Sequence, residues 1–413
     1  MLQPYRTPSD ARKRRAWIEV DLDAVNSNVR NLRELLSPQT ELMAVVKADA
    51  YGHGAVAISH EALSAGASWL GVATVPEAIE IRDAGVDAPI LIFGAVRDKQ
   101  EIRELSRYAL CATVCDVEHA RQLSESIEMG ERPRVDVHLN IDTGMSRLGT
   151  PTCDARTLWQ HIKCDPNLST TGIYSHFACA EERDSQVMRL QHQQFANVLA
   201  RLERDGMGRV LTHLANTAGT IRDPATHFDM VRVGLGIYGL TPFCSLEVQT
   251  SLKPALRVRA RVSQVKEVPA GTSISYGGQF TAPSTMRIAV VSIGYADGVP
   301  RALSGQIDVL THGQRARQIG AITMDQLMID VTDMSSVRPL DVVTLLGTDG
   351  GETITVDDWA DRMPTVTWEI LCGFKYRLPR VLTRGSHSAS FERAIGRPIN
   401  LGAGDLSHAP QSR

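Results

Sequence analysis

The chain has 413 residues, 43% hydrophobic and 22% charged, with a formal net charge of -3. That is enough apolar material for two domains, and the near-neutral balance argues against nucleic acid or anionic lipid as a partner. The longest apolar runs are strand-sized, so no membrane span is expected. Arg12, Lys13, Arg14 and Arg15 lead into Trp17-Ile18-Glu19-Val20-Asp21, where an export signal needs an apolar helix, and a cytoplasmic location is expected. Seven cysteines, at 111, 115, 153, 164, 179, 244 and 372, make no C-x-x-C pair and no Cys/His cluster with zinc spacing. Most of them read as small buried residues in a reducing compartment, and no metal site is expected.

Taken in order, residues 1–16 form a polar start. Trp17 to Asp23 alternates like a strand, and Val25, Val29, Leu32, Leu35 and Leu36 recur at helical spacing. Strand-like runs follow at Met43–Ala48, Trp69–Thr74, Pro89–Gly94, Cys111–Asp116, Arg134–Asp142, Thr171–Ala178, Val210–Asn216 and Met230–Leu235. Helical stretches lie between them, such as Pro76–Ala84, Lys99–Tyr108, Val117–Met129 and Ser185–Arg204. Eight strands alternating with helices fit a closed (β/α)8 barrel of the TIM type over 17–250, with an open doubly wound sheet as the alternative. The Trp17 strand is left over to pair with the C-terminal domain. From about Val258 short strands separated by Gly, Pro and Asp turns define a mainly β-strand domain over 251–384, helical only near Asp357–Arg362. Residues 385–413 lack core material and read as a disordered tail.

A barrel of this kind works at the carboxyl ends of its strands. The first ends at Lys47 and Tyr51, the fifth runs into Asp142–Gly149 with Arg147, and the sixth ends at Ser175-His176-Phe177. The seventh ends at His213–Thr217 and the eighth at Arg232–Gly236. Thr217 reads as a helix N-cap, with Ala218-Gly219-Thr220 offering backbone N–H groups to an anion. Gly234–Gly239 also matches G-x-G-x-x-G, but Pro242 and Phe243 stand where a helix should open, so no dinucleotide site is expected. A lysine beside a phosphate site at a barrel mouth points to pyridoxal 5'-phosphate (PLP) held as a Schiff base.

Ala44–Gly54, Asp142–Gly149, His213–Thr217, Arg232–Gly239, Ser292–Gly298, Met324-Asp325-Gln326 and Tyr376–Arg380 together resemble the alanine racemase family, in order from about Trp17 to Thr383. The resemblance implies a PLP-dependent homodimer that interconverts L- and D-alanine and supplies D-alanine for peptidoglycan. It makes Lys47 one base and Tyr295, from the partner subunit, the opposite one. Tyr51, Thr217 and Tyr376, with N–H groups near Gly234 and Leu235, would hold the phosphate, and Asn216 would also touch the cofactor. Arg232 would face the pyridine nitrogen, His176 would link it towards Tyr295, and Arg147 would reach the phenolic oxygen and the substrate carboxylate. Met324, again from the partner, would meet that carboxylate through its backbone. A phenol titrates near ~10 and a lysine near ~10.4, so both bases need lowered values at neutral pH.

Taken singly, these residues have plainer readings. Tyr295 could be a strand aromatic beside an Asp-Gly turn, His176 a core histidine, Met324 core filling and Tyr376 a surface residue. The chain also departs from the family. Asn140 stands where many members carry a carbamylated lysine, so Arg147 would be braced by the Asn140 carbonyl, water or an anion such as chloride. Thr323 replaces a frequent cysteine, and Thr217 a common serine. Rival readings are a broader racemase for serine or larger amino acids, a barrel-type PLP decarboxylase, and a non-catalytic PLP carrier. The decarboxylase would set a carboxylate, rather than Arg232, at the pyridine nitrogen. The carrier would lack the second domain.

Overall fold

Eight parallel strands close on themselves: Glu41–Val45, Trp69–Val72, Ile90–Ile92, Cys111–Val114, Val135–Asp142, Leu168–Tyr174, Leu211–His213 and Met230–Val233. The protein is described here from a computed structural model over residues 14–127, 134–182, 184–243, 251–374 and 376–385. Each strand neighbours the next in sequence, and Met230–Val233 returns to pair with Glu41–Val45, Arg232 lying opposite Met43. Closure leaves no sheet edge exposed. The expected barrel is therefore present, and the open-sheet alternative is not.

Most strands end earlier than the sequence suggests: the first stops at Val45 instead of Ala48, the second at Val72 instead of Thr74, the third at Ile92 instead of Gly94 and the fourth at Val114 instead of Asp116. The sixth strand is Leu168–Tyr174, not Thr171–Ala178, and the seventh and eighth stop at His213 and Val233. In these last three the chain leaves the sheet just before the residues that face the barrel mouth. Helix bounds shift by one to three residues, the largest where the helix expected over Val117–Met129 ends at Ser126. Ser185, for example, is the N-cap of Gln186–Arg204, its hydroxyl accepting from Met188 N. Met129, the expected end of one helix, lies outside the described residues.

The barrel interior is filled, not hollow. Met43, Leu91, Cys111, Tyr174 and Met230 pack there with Trp69 and Phe93, each fully buried large side chain contributing roughly 1.5–3 kcal/mol. Thr113, His138, His213 and Arg232 are buried as well, so their polar atoms need partners inside the protein.

The second unit is a closed ring of six antiparallel strands. Leu256–Val268 pairs with Met286–Val291, then come Leu327–Asp330, Gln314–Ile319, Asp308–Thr311 and Val342–Asp349, which returns to Leu256–Val268. The 13-residue strand Leu256–Val268 has room left for another partner. Ala16–Asp21 takes it, antiparallel, and pairs on its other side with Arg380–Thr383 in parallel. The first strand of the chain thus belongs to the second sheet. Asp21 then caps the helix Leu22–Arg33, which carries the chain to the barrel.

Two short helices, Val356–Ala360 and Thr367–Gly373, follow the ring. Only the first was legible as helix. The second packs against the turn that begins at Lys47.

Candidate active site

Beyond Val45 the backbone turns into an uncommon shape. Ala48, Asp49, Ala50 and Tyr51 all have φ of 53 or 54°, one full left-handed turn made without glycine. Such a turn costs roughly 1–2 kcal/mol per residue, so neighbours must hold it. Glu77 accepts from Ala48 N at 2.7 Å, and Asp49 accepts from Ala55 N at 2.8 Å. Gly52 continues at φ 83°, and a Cβ there would sit 2.6 Å from the Leu371 carbonyl. Arg380 donates to the Gly52 carbonyl at 3.0 Å from the other side. Barrel and second domain therefore meet on the lysine turn.

Lys47 lies in a cavity of about 440 Å³ at the barrel mouth, with Tyr51, Arg147, His176, Asn216, Thr217, Arg232, Gly234 and Leu235 on its walls. Burial first, then the charge of Arg147, lowers the Lys47 pKa. Asp142 Oδ1 accepts from Gly144 N and Ser146 N at 2.9 and 3.0 Å, shaping the loop that brings Arg147 in. The Arg147 side chain makes no hydrogen bond or ion pair with any described residue. The Asn140 carbonyl therefore does not brace it, which leaves water or an anion among the supports considered.

Arg232 is held in place through its two terminal nitrogens. It donates to the carbonyls of Ser175 (2.7 Å) and Leu214 (3.1 Å), and to Nδ1 of His176 (3.1 Å) and of His213 (2.9 Å). It also lies over the Tyr174 ring. Burial pulls its pKa down to about 10, so it stays cationic at neutral pH. The same burial, with Arg232, Arg147 and Lys47 close by, holds His176 well below its ordinary pKa. As a neutral ring accepting at Nδ1, His176 carries its proton on Nε2.

Across the mouth, Thr217 Oγ1 accepts from Gly234 N at 3.1 Å and Gly236 N at 3.4 Å. Asn216 caps the short helix Thr217–Arg222 by accepting from Gly219 N. A Cβ at Gly234 would lie 2.9 Å from the Tyr51 hydroxyl, so the missing side chain lets that phenol reach the backbone. Burial pushes Tyr51 up to about 12, which keeps it a hydrogen-bond donor. The G-x-G-x-x-G run falls in a four-residue 3-10 turn, Leu235–Tyr238, where no long helix opens.

Three of the expected residues stand elsewhere. Tyr295, Met324 and Tyr376 do not line this cavity, and they are 42, 53 and 74% exposed. The first two share one ladder: Tyr295 N donates to the Thr323 carbonyl and Ala296 N to the Met324 carbonyl, both at 3.0 Å. Sequence reasoning missed Trp368 and Cys372, which line the cavity from the helix Thr367–Gly373. It gave no role to His213 and overlooked His138. The only cue to these was a polar residue on an otherwise apolar strand.

Among the described residues no cluster of His, Cys, Asp or Glu could hold a metal, and no helix is long and apolar enough to cross a membrane. The cavity suits a different group. A lysine whose pKa is lowered gives up its proton more readily to condense with an aldehyde, and hydroxyls beside a Cβ-free backbone accommodate a phosphate. PLP combines both functions, and a guanidinium that can only donate suits a pyridine nitrogen that accepts. Fold and site together define a PLP-dependent barrel enzyme.

Comparison with known proteins narrows this class. Residues 20–242 match the family "Alanine racemase, N-terminal domain" and 255–382 "Alanine racemase, C-terminal domain". An alanine racemase of Nostoc sp. is 51% identical over 89% of this chain and 95% of its own length, and one of Synechocystis sp. is 48% identical over 90% and 99%. The crystal structure of the Bacillus anthracis enzyme, solved with bound L-Ala-P, is 34% identical with a TM-score of 0.85 over 91% of this chain and 97% of its own. The chain belongs to the alanine racemase family. It is a PLP-dependent isomerase that interconverts L- and D-alanine.

Proposed function

We propose that racemisation runs between two bases, Lys47 and Tyr295, with Tyr295 supplied by a second copy of the chain. The observation that carries this reading is a separation. Lys47, Arg147 and Arg232 share one cavity, whereas Tyr295 and Met324 stand exposed on the surface away from it. Inverting a stereocentre by removing a proton on one face and adding one on the other needs a base on each side, and one copy provides only the lysine side. Tyr295, Met324 and Tyr376 are large, exposed and carried on loops joined through Asp297, Arg377 and Asp325, as residues at an interface would be.

Bound PLP supplies the electron sink that acidifies the substrate α-proton. Lys47 Nζ takes or returns that proton on one face, its lowered pKa bringing it nearer to neutrality. The Tyr295 hydroxyl does the same on the other. Arg147 pairs with the substrate carboxylate, with the Met324 backbone of the neighbouring copy beside it. Arg232 donates to the pyridine nitrogen and, as a cation that keeps its proton, leaves that nitrogen unprotonated. This restrains the sink and limits side reactions. His176 extends from Arg232 towards Tyr295. Tyr51, Asn216, Thr217 and Tyr376, with the backbone at Gly234 and Leu235, hold the phosphate.

The six cysteines among the described residues are unpaired, which supports a reducing, cytoplasmic setting. The D-alanine formed there would serve wall synthesis. Mixing Lys47→Ala with Tyr295→Phe protein tests the shared site. Hybrid dimers contain one intact site and regain activity that neither parent has; a mixture that stays inactive contradicts the reading.

A further inference from the structure

Arg15 is the last member of the basic run at the start of the chain, and no role in the reaction follows from its position in the sequence. Its carbonyl accepts from Arg261 N at 2.7 Å, which anchors it on the long strand of the second domain. Its side chain reaches residue 297. Nη2 donates to Asp297 Oδ1 at 2.6 Å and Nη1 to Oδ2 at 2.9 Å, with Nη1 also on the Ser292 carbonyl at 2.7 Å. The Asp297 side chain is wholly buried.

Asp297 closes the 3-10 turn Tyr295–Asp297, because its Oδ2 accepts from Gly294 N at 3.0 Å. Arg377 approaches Oδ1 from the other side at 3.4 Å and donates to Asp325, next to Met324, at 2.6 Å. The turn has no slack against its neighbour, since a Cβ at Gly294 would lie 2.2 Å from the Thr323 carbonyl. One buried carboxylate thus joins the loops that carry Tyr295, Met324 and Tyr376, and its only two-pronged partner among the described residues is Arg15.

We propose that Arg15 is a positioning residue for the reaction: through Asp297 it fixes the turn that presents the Tyr295 hydroxyl. The proposal rests on reading Tyr295 as one of the two bases. Without Arg15, Asp297 keeps a single, longer guanidinium contact, and a buried carboxylate so deprived pulls its loop towards water. A displacement of about 1 Å at a reacting group lowers rate on the order of 100-fold while leaving binding largely intact.

The test uses the full-length, PLP-loaded protein carrying Arg15→Ala. Turnover should fall roughly 10- to 100-fold, with the KM for alanine and the affinity for PLP almost unchanged. L- and D-alanine have equal free energies, so kcat/KM must fall equally in both directions whatever the cause. The primary isotope effect with α-deuterated alanine separates the causes. It should rise only in the direction in which Tyr295 removes the proton, whereas a general loss of structure would leave both directions alike. Arg15→Lys keeps the charge without the two-pronged geometry, and it is measured in the same way should Arg15→Ala not fold.

Mixing experiments distinguish this proposal from the reading beneath it. Arg15 acts on the tyrosine of its own chain, so Arg15→Ala mixed with Lys47→Ala should recover as much activity as Tyr295→Phe mixed with Lys47→Ala. Recovery in the tyrosine mixture alone overturns the Arg15 proposal and leaves the shared site standing. Recovery in neither overturns both. Turnover of Arg15→Ala within twofold of the native protein also overturns the proposal.

Discussion

The Arg232 guanidinium donates to Nδ1 of His213 at 2.9 Å, and that contact dictates the proton positions of a buried chain of rings. Arginine has only donors, so His213 must bear its proton on Nε2, from which it donates to Nδ1 of His138 at 2.9 Å. His138 must then be protonated on Nε2, an atom buried without a partner among the described residues. Burial holds His138 down at about 3 and His213 well below its usual range, so both rings stay neutral. The orientation of the cation at the barrel mouth is thereby tied to a ring deep in the barrel.

Gly172 leaves the space that ring occupies, since a Cβ there would lie 2.5 Å from His138 Nε2. Gly172→Ala should destabilise the fold by about 1–3 kcal/mol and reduce turnover by displacing His138, His213 and hence Arg232. Adding His138→Ala should relieve part of the loss, so urea midpoints of the single and double variants would not add. Full additivity would show that the two positions are not coupled.

Arg232→Lys should be severe despite keeping the charge. An ammonium is a point donor and cannot span the Ser175, Leu214, His176 and His213 acceptors that the guanidinium serves together. Turnover should drop on the order of 100-fold, with a lower thermal midpoint from the acceptors left unpaired. Near-native kinetics would mean that the fork has no part in the chemistry.

Gly52→Ala tests the seam between the two domains. The substitution combines φ of 83° with a 2.6 Å approach to the Leu371 carbonyl. Destabilisation should exceed about 1 kcal/mol, and the lysine turn should shift, weakening PLP retention. A variant of native stability that retains PLP normally would contradict the seam as drawn.

How much of this was legible in the sequence depended on the range of the interaction. Lys47, Arg147, His176, Thr217 and Arg232 could be placed at the mouth because each follows a strand-sized apolar run and a barrel puts strand ends together. The left-handed turn at Ala48–Tyr51 was not legible, since in Ala-Asp-Ala-Tyr only the aspartate visits positive φ with any ease, and then singly. It is imposed by Glu77, Asp49 and the close approach of Leu371. Trp368 and Cys372 were missed for a similar reason: their helix is seven residues long and is placed by packing against the lysine turn. Arg15 and Asp297 are 282 positions apart, and no local pattern announces such a pair.

Stability should fall on acidification. His53 and His138 are buried and neutral, held at about 4 and about 3, against 6.5 for an exposed histidine. Between those values the unfolded chain binds protons that the native protein does not, so stability rises with pH there and is complete above about 6.5. As pH falls below 6.5, each ring should remove up to about 1.4 kcal/mol per pH unit. Urea midpoints measured from pH 7 to 4.5 check this. A flat profile would mean that the rings take up protons without resisting burial.

The two-base account is tested most directly by incubating L-alanine with the PLP-loaded protein in deuterium oxide and following both enantiomers by chiral chromatography and mass. D-alanine should form carrying α-deuterium, while L-alanine recovered early stays unlabelled, because the base that removes the proton is not the one that delivers its replacement. Lys47→Ala and Tyr295→Phe should each abolish conversion. D-alanine that retains the substrate proton, or racemisation that survives the loss of either residue, would contradict the account.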